Sequence, residues 1–225
     1  MIKKIFQKIL LKTGKTYLID ESIPDRLLVN VLVNRFFMLT RGIIFLRKKV
    51  FLGSSCKILN KKNFEFGRSV TIDKNTVLDG YAKNKIILGD GVKIGAYSFL
   101  TTTSHLSKYG IGLKMGNNSA IGDYTHFGAS GGIEIGNDVI MGSYISFHSE
   151  NHNFSDNKKL IREQGVTSKG IKLGNNIWVG AKVTFLDGSQ IGNNCVVAAG
   201  AVVNSVFPDN VVIGGVPAKI LKKIE

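Results

Sequence analysis

Two histidines four residues apart, His148 and His152, stand where a regular pattern in the chain breaks off. An aliphatic or aromatic residue recurs every sixth position through Ile135, Met141 and Phe147, and then not until Leu173, a step of 26 residues. An imidazole titrates near neutral pH and can take a proton from a hydroxyl as a general base. Long loops held on a rigid scaffold are where such groups concentrate. Glu150 and Asp156 lie close enough in sequence to orient an imidazole, although a solvated loop carboxylate is the commoner role for either. His105, in the loop after Leu100, is expected to make an ordinary loop hydrogen bond, and His126, next to an inward Phe127, to point out of its wall.

The element that has to hold those histidines is legible as a period of six. It runs Phe66, Ile72, Leu78; Leu88, Ile94, Leu100; Met115, Ile121, Phe127; Ile135, Met141, Phe147; and, after the gap, Leu173, Val179, Phe185, Ile191, Val197, Val203. A six-residue period belongs to parallel β-helix solenoids, whose units bury an apolar face only by stacking. The steps after Leu78, Leu100, Phe127 and Phe147 are 10, 15, 8 and 26 residues, and all four fall at the same place in a cycle of three sextets. Random apolar spacing would scatter the breaks. Eighteen sextets therefore make about six triangular coils with every insertion at one corner. Gly-Asn-Asn at 116–118, 174–176 and 192–194, with Gly-Asn-Asp at 136–138, supplies residues that tolerate left-handed backbone at another corner.

The rest of the chain fits one repeat domain with appendages: 225 residues, 44% of them apolar. Cys56 and Cys195 lie far apart and read as reduced thiols of a cytoplasmic protein, Cys195 in the core. No stretch reads as a signal peptide, since the lysines of residues 1–11 interleave with the apolar residues and no small-residue cleavage site follows. Residues 1–62 carry 14 Lys and Arg against 3 acidic residues, whereas residues 63–225 carry 16 against 13. The basic character thus belongs to an apolar, helical segment over residues 1–52. Two Asn, two Arg and a Gly within residues 27–46 disfavour a spanning helix. The segment suits either a cap on the first coil or a helix lying on an anionic membrane. Nucleic acid is not an expected partner, because the aromatics sit inside apolar runs rather than between basic residues. The expected domains are residues 1–52, the β-helix over 53–213 with a catalytic loop at 148–172, and a tail or short helix over 214–225.

The stretches EIGNDVIMGSYISFHSENHNFSD (134–156), IKLGNNIWVGAKVTFLDGSQIGNNCVVAAGAVV (171–203) and VVIGGVPAKILKKI (211–224) carry a family likeness. The chain resembles the hexapeptide-repeat, left-handed β-helix acyltransferases over about residues 64–222. The likeness is strongest to maltose- and galactoside-type O-acetyltransferases and to enzymes that decorate bacterial surface polysaccharides. The resemblance implies direct acetyl transfer from acetyl-CoA to a carbohydrate hydroxyl, with no metal required. It places the base at the eighteenth position of the motif that begins at Ile135, which is His152, with His148 as second candidate. It implies a homotrimer with acetyl-CoA between neighbouring prisms. The pantetheine arm would follow Trp178, Gly180, Ala181, Ala199 and Gly200, with Lys219 and Lys222 aimed at the nucleotide phosphates. Asn204 and Ser205 stand where many relatives carry Thr-Lys. N-acetylation of an amino sugar, free or nucleotide-linked, is the main alternative. A zinc-dependent, carbonic-anhydrase-like hexapeptide protein using His126, His148 and His152 is a further one, although its family spaces the last two ligands by five rather than four. The expected location is cytoplasmic, with peripheral contact at the inner face of the cytoplasmic membrane, and the acceptor a glycan under assembly there.

Overall fold

The computed structural model describes residues 2–12 and 18–225. From Phe51 onward the chain winds as a left-handed parallel β-helix with three flat walls. Sheet 1 begins at Phe51–Leu52, sheet 2 at Lys57–Leu59 and sheet 3 at Phe64–Phe66, and each later coil adds one parallel strand to each wall in that order. Strands of two or three residues suffice because each places one or two apolar side chains inward and is hydrogen-bonded above and below. The core is one continuous column. Phe127, Phe147 and Phe185, at successive sextet positions in sheet 2, stack at 5.3 and 4.9 Å between ring centroids and are fully buried.

Seven coils form, followed by an eighth strand in sheet 1, rather than the six coils read from the sequence. The additional strands at the start, with Leu52 and Ile58 inward, are hidden by a 3-10 turn at Lys61–Asn63 that lengthens the step from Ile58 to Phe66 to eight residues. At the other end the step from Val203 to Phe207 shortens to four residues. Both irregularities fall between sheets 2 and 3, the corner that also carries the insertions. The solenoid starts at Phe51–Leu52, two residues earlier than expected. No helix forms after residue 213: Lys219–Lys223 is a strand, paired antiparallel with Val211–Gly214. The backbone groups on the open edge of sheet 1 need partners, and the Gly214–Gly215 turn, with Gly215 at φ +98°, folds the tail back to supply them.

The other two corners are built from side chains that repeat at each level. Between sheets 3 and 1, the Oδ1 atoms of Asn137, Asn175, Asn193 and Asp209 each accept the backbone N–H of the equivalent residue one coil earlier, at 2.7–2.8 Å. Between sheets 1 and 2, Tyr97, Tyr124 and Tyr144 stack at 5.0 Å with near-parallel rings, all on left-handed backbone with φ 58–61°. Ring pairs at about 0.5–1.5 kcal/mol each here oppose a backbone cost of about 1 kcal/mol per residue. Tyr124→Ala loses both pairs and keeps the cost, so urea unfolding is expected to show a loss of about 1–3 kcal/mol. Tyr124→Gly relieves the backbone and should be the more stable of the two variants. The reverse order would show that the left-handed backbone costs little at this position.

Two helices precede the solenoid: α1 (Ile2–Lys12) and α2 (Asp25–Arg41), the latter continued by a π-helical turn at Gly42–Leu46. Asp25 in the first turn and Arg41 in the last suit the helix dipole. A Cβ on Gly42 would lie 1.8 Å from the Val50 carbonyl oxygen, so only glycine allows this close return. Leu46 then packs against the bottom of the core. Arg35 reaches across to donate to Thr71 Oγ1 at 2.8 Å and lies over the Phe51 ring, and Arg41 donates to the Leu52 carbonyl at 2.8 Å.

Candidate active site

The insertion after Phe147 folds as an arm on the corner between sheets 2 and 3. Its spine is a short antiparallel pair in which Asn151 faces Thr167 and His152 faces Val166. Gln164 ties the tip: its Nε2 donates to the carbonyls of Asp156 and Lys159, and its Oε1 accepts the Asp156 N–H. At the root, buried Ser149 donates to the Gly128 carbonyl at 2.7 Å and accepts the Gly131 N–H at 2.9 Å. The Asp187 carboxylate accepts the N–H groups of Lys169 and Gly170, both at 2.8 Å. The loop after Leu100, two coils lower on the same corner, braces the same arm. Ser104 donates to Glu150 at 2.9 Å, and Lys108 donates to Ser168 at 2.5 Å while lying 3.8 Å from Glu150.

This network engages both carboxylates considered as partners for a histidine. Glu150 faces Ser104 and Lys108, while Asp156 accepts from the Lys158 N–H and pairs with Lys159. The His152 side chain is exposed on the arm and makes no side-chain hydrogen bond among the described residues. His148 lies on the outer face of sheet 2 with its Nε2 2.7 Å from Ser146 Oγ. The His126 ring sits 5.8 Å from it on the same wall. Burial, and secondly the neighbouring His148, push the His126 imidazole below the usual histidine value. His105 Nδ1 accepts the Ser107 N–H at 3.1 Å. Among the described residues no three His, Cys, Asp or Glu side chains converge in a metal-holding group.

The residues assigned to the acyl donor come together elsewhere, on the outer face of sheet 1 and its corner with sheet 2. Trp178 projects from sheet 1, 61% exposed. Val196, Val212 and Lys222 follow it rung by rung. Gly180, Ala181, Ala199 and Gly200 form the adjoining corner, where a Cβ on Gly180 would lie 2.5 Å from the Ala199 nitrogen. Adjacent coils therefore approach closely there, with only Gly and Ala at these four positions. Lys219 faces Gly214 at its upper end. Within one chain this lane and the His152 arm lie at opposite edges of sheet 2, so a single prism does not unite them. A cavity of about 480 Å³, lined by Lys85, Lys114, Lys169, Lys172 and Glu134 among others, opens on sheet 3 at the foot of the arm.

Ser104, Lys108, Ser149 and Asp187 were not singled out by sequence reasoning. The only signal for them is that the 15-residue and 26-residue steps share one corner, which stacks the two loops.

The coil geometry and the repeat define the protein's class as a hexapeptide-repeat β-helix, and the chain is similar to transferases built on that repeat. The model of the bacterial transferase hexapeptide, six repeats, matches residues 170–205. The chain is 28% identical over 196 residues to a putative lipopolysaccharide biosynthesis O-acetyl transferase, WbbJ, of Escherichia coli, covering 84% of this chain and 85% of that protein. It is 29% identical over 123 residues to the galactoside O-acetyltransferase of Escherichia coli, covering 52% of this chain and 56% of that one. A probable acetyltransferase of Mycobacterium tuberculosis is 29% identical over 82% of this chain, which spans about half (51%) of that relative's length. Among solved structures, a variant of AntD, an N-acyltransferase from Bacillus cereus in complex with dTDP and coenzyme A, shares the fold. Its TM-score is 0.60 at 21% identity, over 77% of this chain and 86% of that one.

Proposed function

We propose that this hexapeptide-repeat acyltransferase moves the acetyl group of acetyl-CoA directly to a sugar hydroxyl of a surface glycan or its precursor, with His152 as general base. His152 Nε2 or Nδ1 accepts the hydroxyl proton as the oxygen attacks the thioester carbonyl. The thiolate of coenzyme A leaves and takes up the proton, and a backbone N–H stabilises the oxyanion. His148, engaged with Ser146 on the wall, is the less suited of the two histidines. Trp178, Gly180, Ala181, Ala199 and Gly200 line the donor lane, and Lys219 and Lys222 meet its phosphates.

The observation that carries this reading is the separation of lane and arm across sheet 2. Two copies placed side by side bring the lane of one against the arm of the next, and a threefold ring closes that contact on itself. A homotrimer with three equivalent sites supports the reading better than a monomer does. Transfer to an amino sugar is the second reading, favoured by the fold shared with the N-acyltransferase AntD. Radiolabelled acetyl-CoA offered with hydroxyl and amino sugar acceptors, followed by mild alkaline treatment, separates them. An O-acetyl ester is expected, and its label is released by alkali. Label that survives alkali would establish an amide and overturn the hydroxyl reading.

A further inference from the structure

We infer that the outer face of the two N-terminal helices is a docking surface for an anionic lipid bilayer, on which they lie without crossing it. The α2 helix and its π-helical turn form one rod, Asp25–Leu46, long and apolar enough by composition to span a bilayer. Its sides have different roles. Leu28, Met38 and Gly42 are buried, and Arg35 and Arg41 make their bonds to the solenoid. At about 100° per residue, Val29, Val33, Phe36, Phe37, Ile43 and Ile44 fall together on the opposite side. All six are exposed, Phe36 by 62% and Ile44 by 70%. The amphipathic α1 adds exposed Ile5 and Ile9 with Lys3, Lys4 and Lys8. A contiguous apolar face of this kind marks an interaction surface.

Charge selects the occupant. Arg26 stands at one end of the stripe and Arg47, Lys48 and Lys49 at the other. The three acidic residues of this segment all lie in the turn at 20–25, where Asp20 is occupied by Ser22. A second copy would set a strongly cationic face against itself, whereas an anionic leaflet complements it. Crossing the bilayer is a different matter. It would strip Arg35 and Arg41 from Thr71 and Leu52, carry Arg35 into hydrocarbon, and withdraw Leu46 from the end of the core. An interfacial pose leaves every one of those contacts intact.

Sedimentation of the full-length protein with phosphatidylcholine vesicles, with and without phosphatidylglycerol, tests this at low and high salt. Pelleting is expected with the phosphatidylglycerol vesicles at low salt, and it should weaken as salt rises. Phe36→Asp with Ile44→Asp changes two exposed side chains, so thermal unfolding should hold while vesicle binding falls about tenfold or more. Acetyl transfer to a soluble acceptor should be unchanged in that variant, which keeps this test independent of the proposed reaction. A wild-type chain that stays in the supernatant would overturn the inference. So would a double variant that pellets like wild type, or equal binding to vesicles of phosphatidylcholine alone. Concentration-dependent assembly lost in the double variant, without vesicle binding, would assign the face to a second copy and likewise overturn it.

Discussion

Replacing His152 by alanine is expected to lower turnover at least about a hundredfold, because a positioned general base contributes about 10² to 10⁴ in rate. The side chain is exposed on an arm whose fold is held by Gln164, Ser149 and Asp187. Thermal unfolding and acetyl-CoA affinity should therefore stay near wild type. His148→Ala should lose less activity, since that ring is paired with Ser146 on the wall rather than carried on the arm. Steady-state kinetics on both variants decides between them. An active His152→Ala protein beside an inactive His148→Ala protein would move the base four residues back.

Reversing charge at the upper end of the donor lane should act on a different constant. Lys219→Glu with Lys222→Glu replaces attraction by repulsion at the position assigned to the nucleotide phosphates. The apparent constant for acetyl-CoA is expected to rise about tenfold or more while that for the acceptor stays nearly fixed. Lys223, on the same strand but out of line with Trp178 and Val212, serves as the control. Lys223→Glu should move the acetyl-CoA constant much less. Equal effects on both substrates would reduce the strand to a folding element.

The parts of this structure that a six-residue period specifies are legible in the chain itself. Inward Phe127, Phe147 and Phe185 stack where the period places them, and all four long steps fall between sheets 2 and 3. Such positions are legible because each is determined by local burial repeated coil after coil. The first coil and the last were hidden for the same reason. A 3-10 turn at Lys61–Asn63 and a shortened step before Phe207 leave the burial intact but shift the count. The tail failed differently. Nothing within Lys219–Lys223 prefers a strand over a helix strongly, and the decision comes from the unpaired edge of Val211–Gly214, which is a tertiary fact. In the candidate site, the pair His148 and His152 stood out by the 26-residue step that holds it, whereas the choice of His152 and the lane residues were implied by the family resemblance. The bracing by Ser104 and Lys108 was not, because it joins loops 46 and 60 residues apart in sequence, to Glu150 and Ser168.

That terminal strand bears on how the molecule remains a discrete particle. A parallel β-helix has no natural last coil: whatever wall ends it offers hydrogen-bonding groups that a second solenoid could continue. Here the ninth strand of sheet 1 runs the wrong way for continuation and is fully exposed, with Lys219, Lys222 and Lys223 along it. Reversed direction and positive charge on an edge both oppose end-to-end addition. The strand that carries Lys219 and Lys222 thus terminates growth, and a chain cut before Lys219 would be left with a template for fibre formation at its upper end.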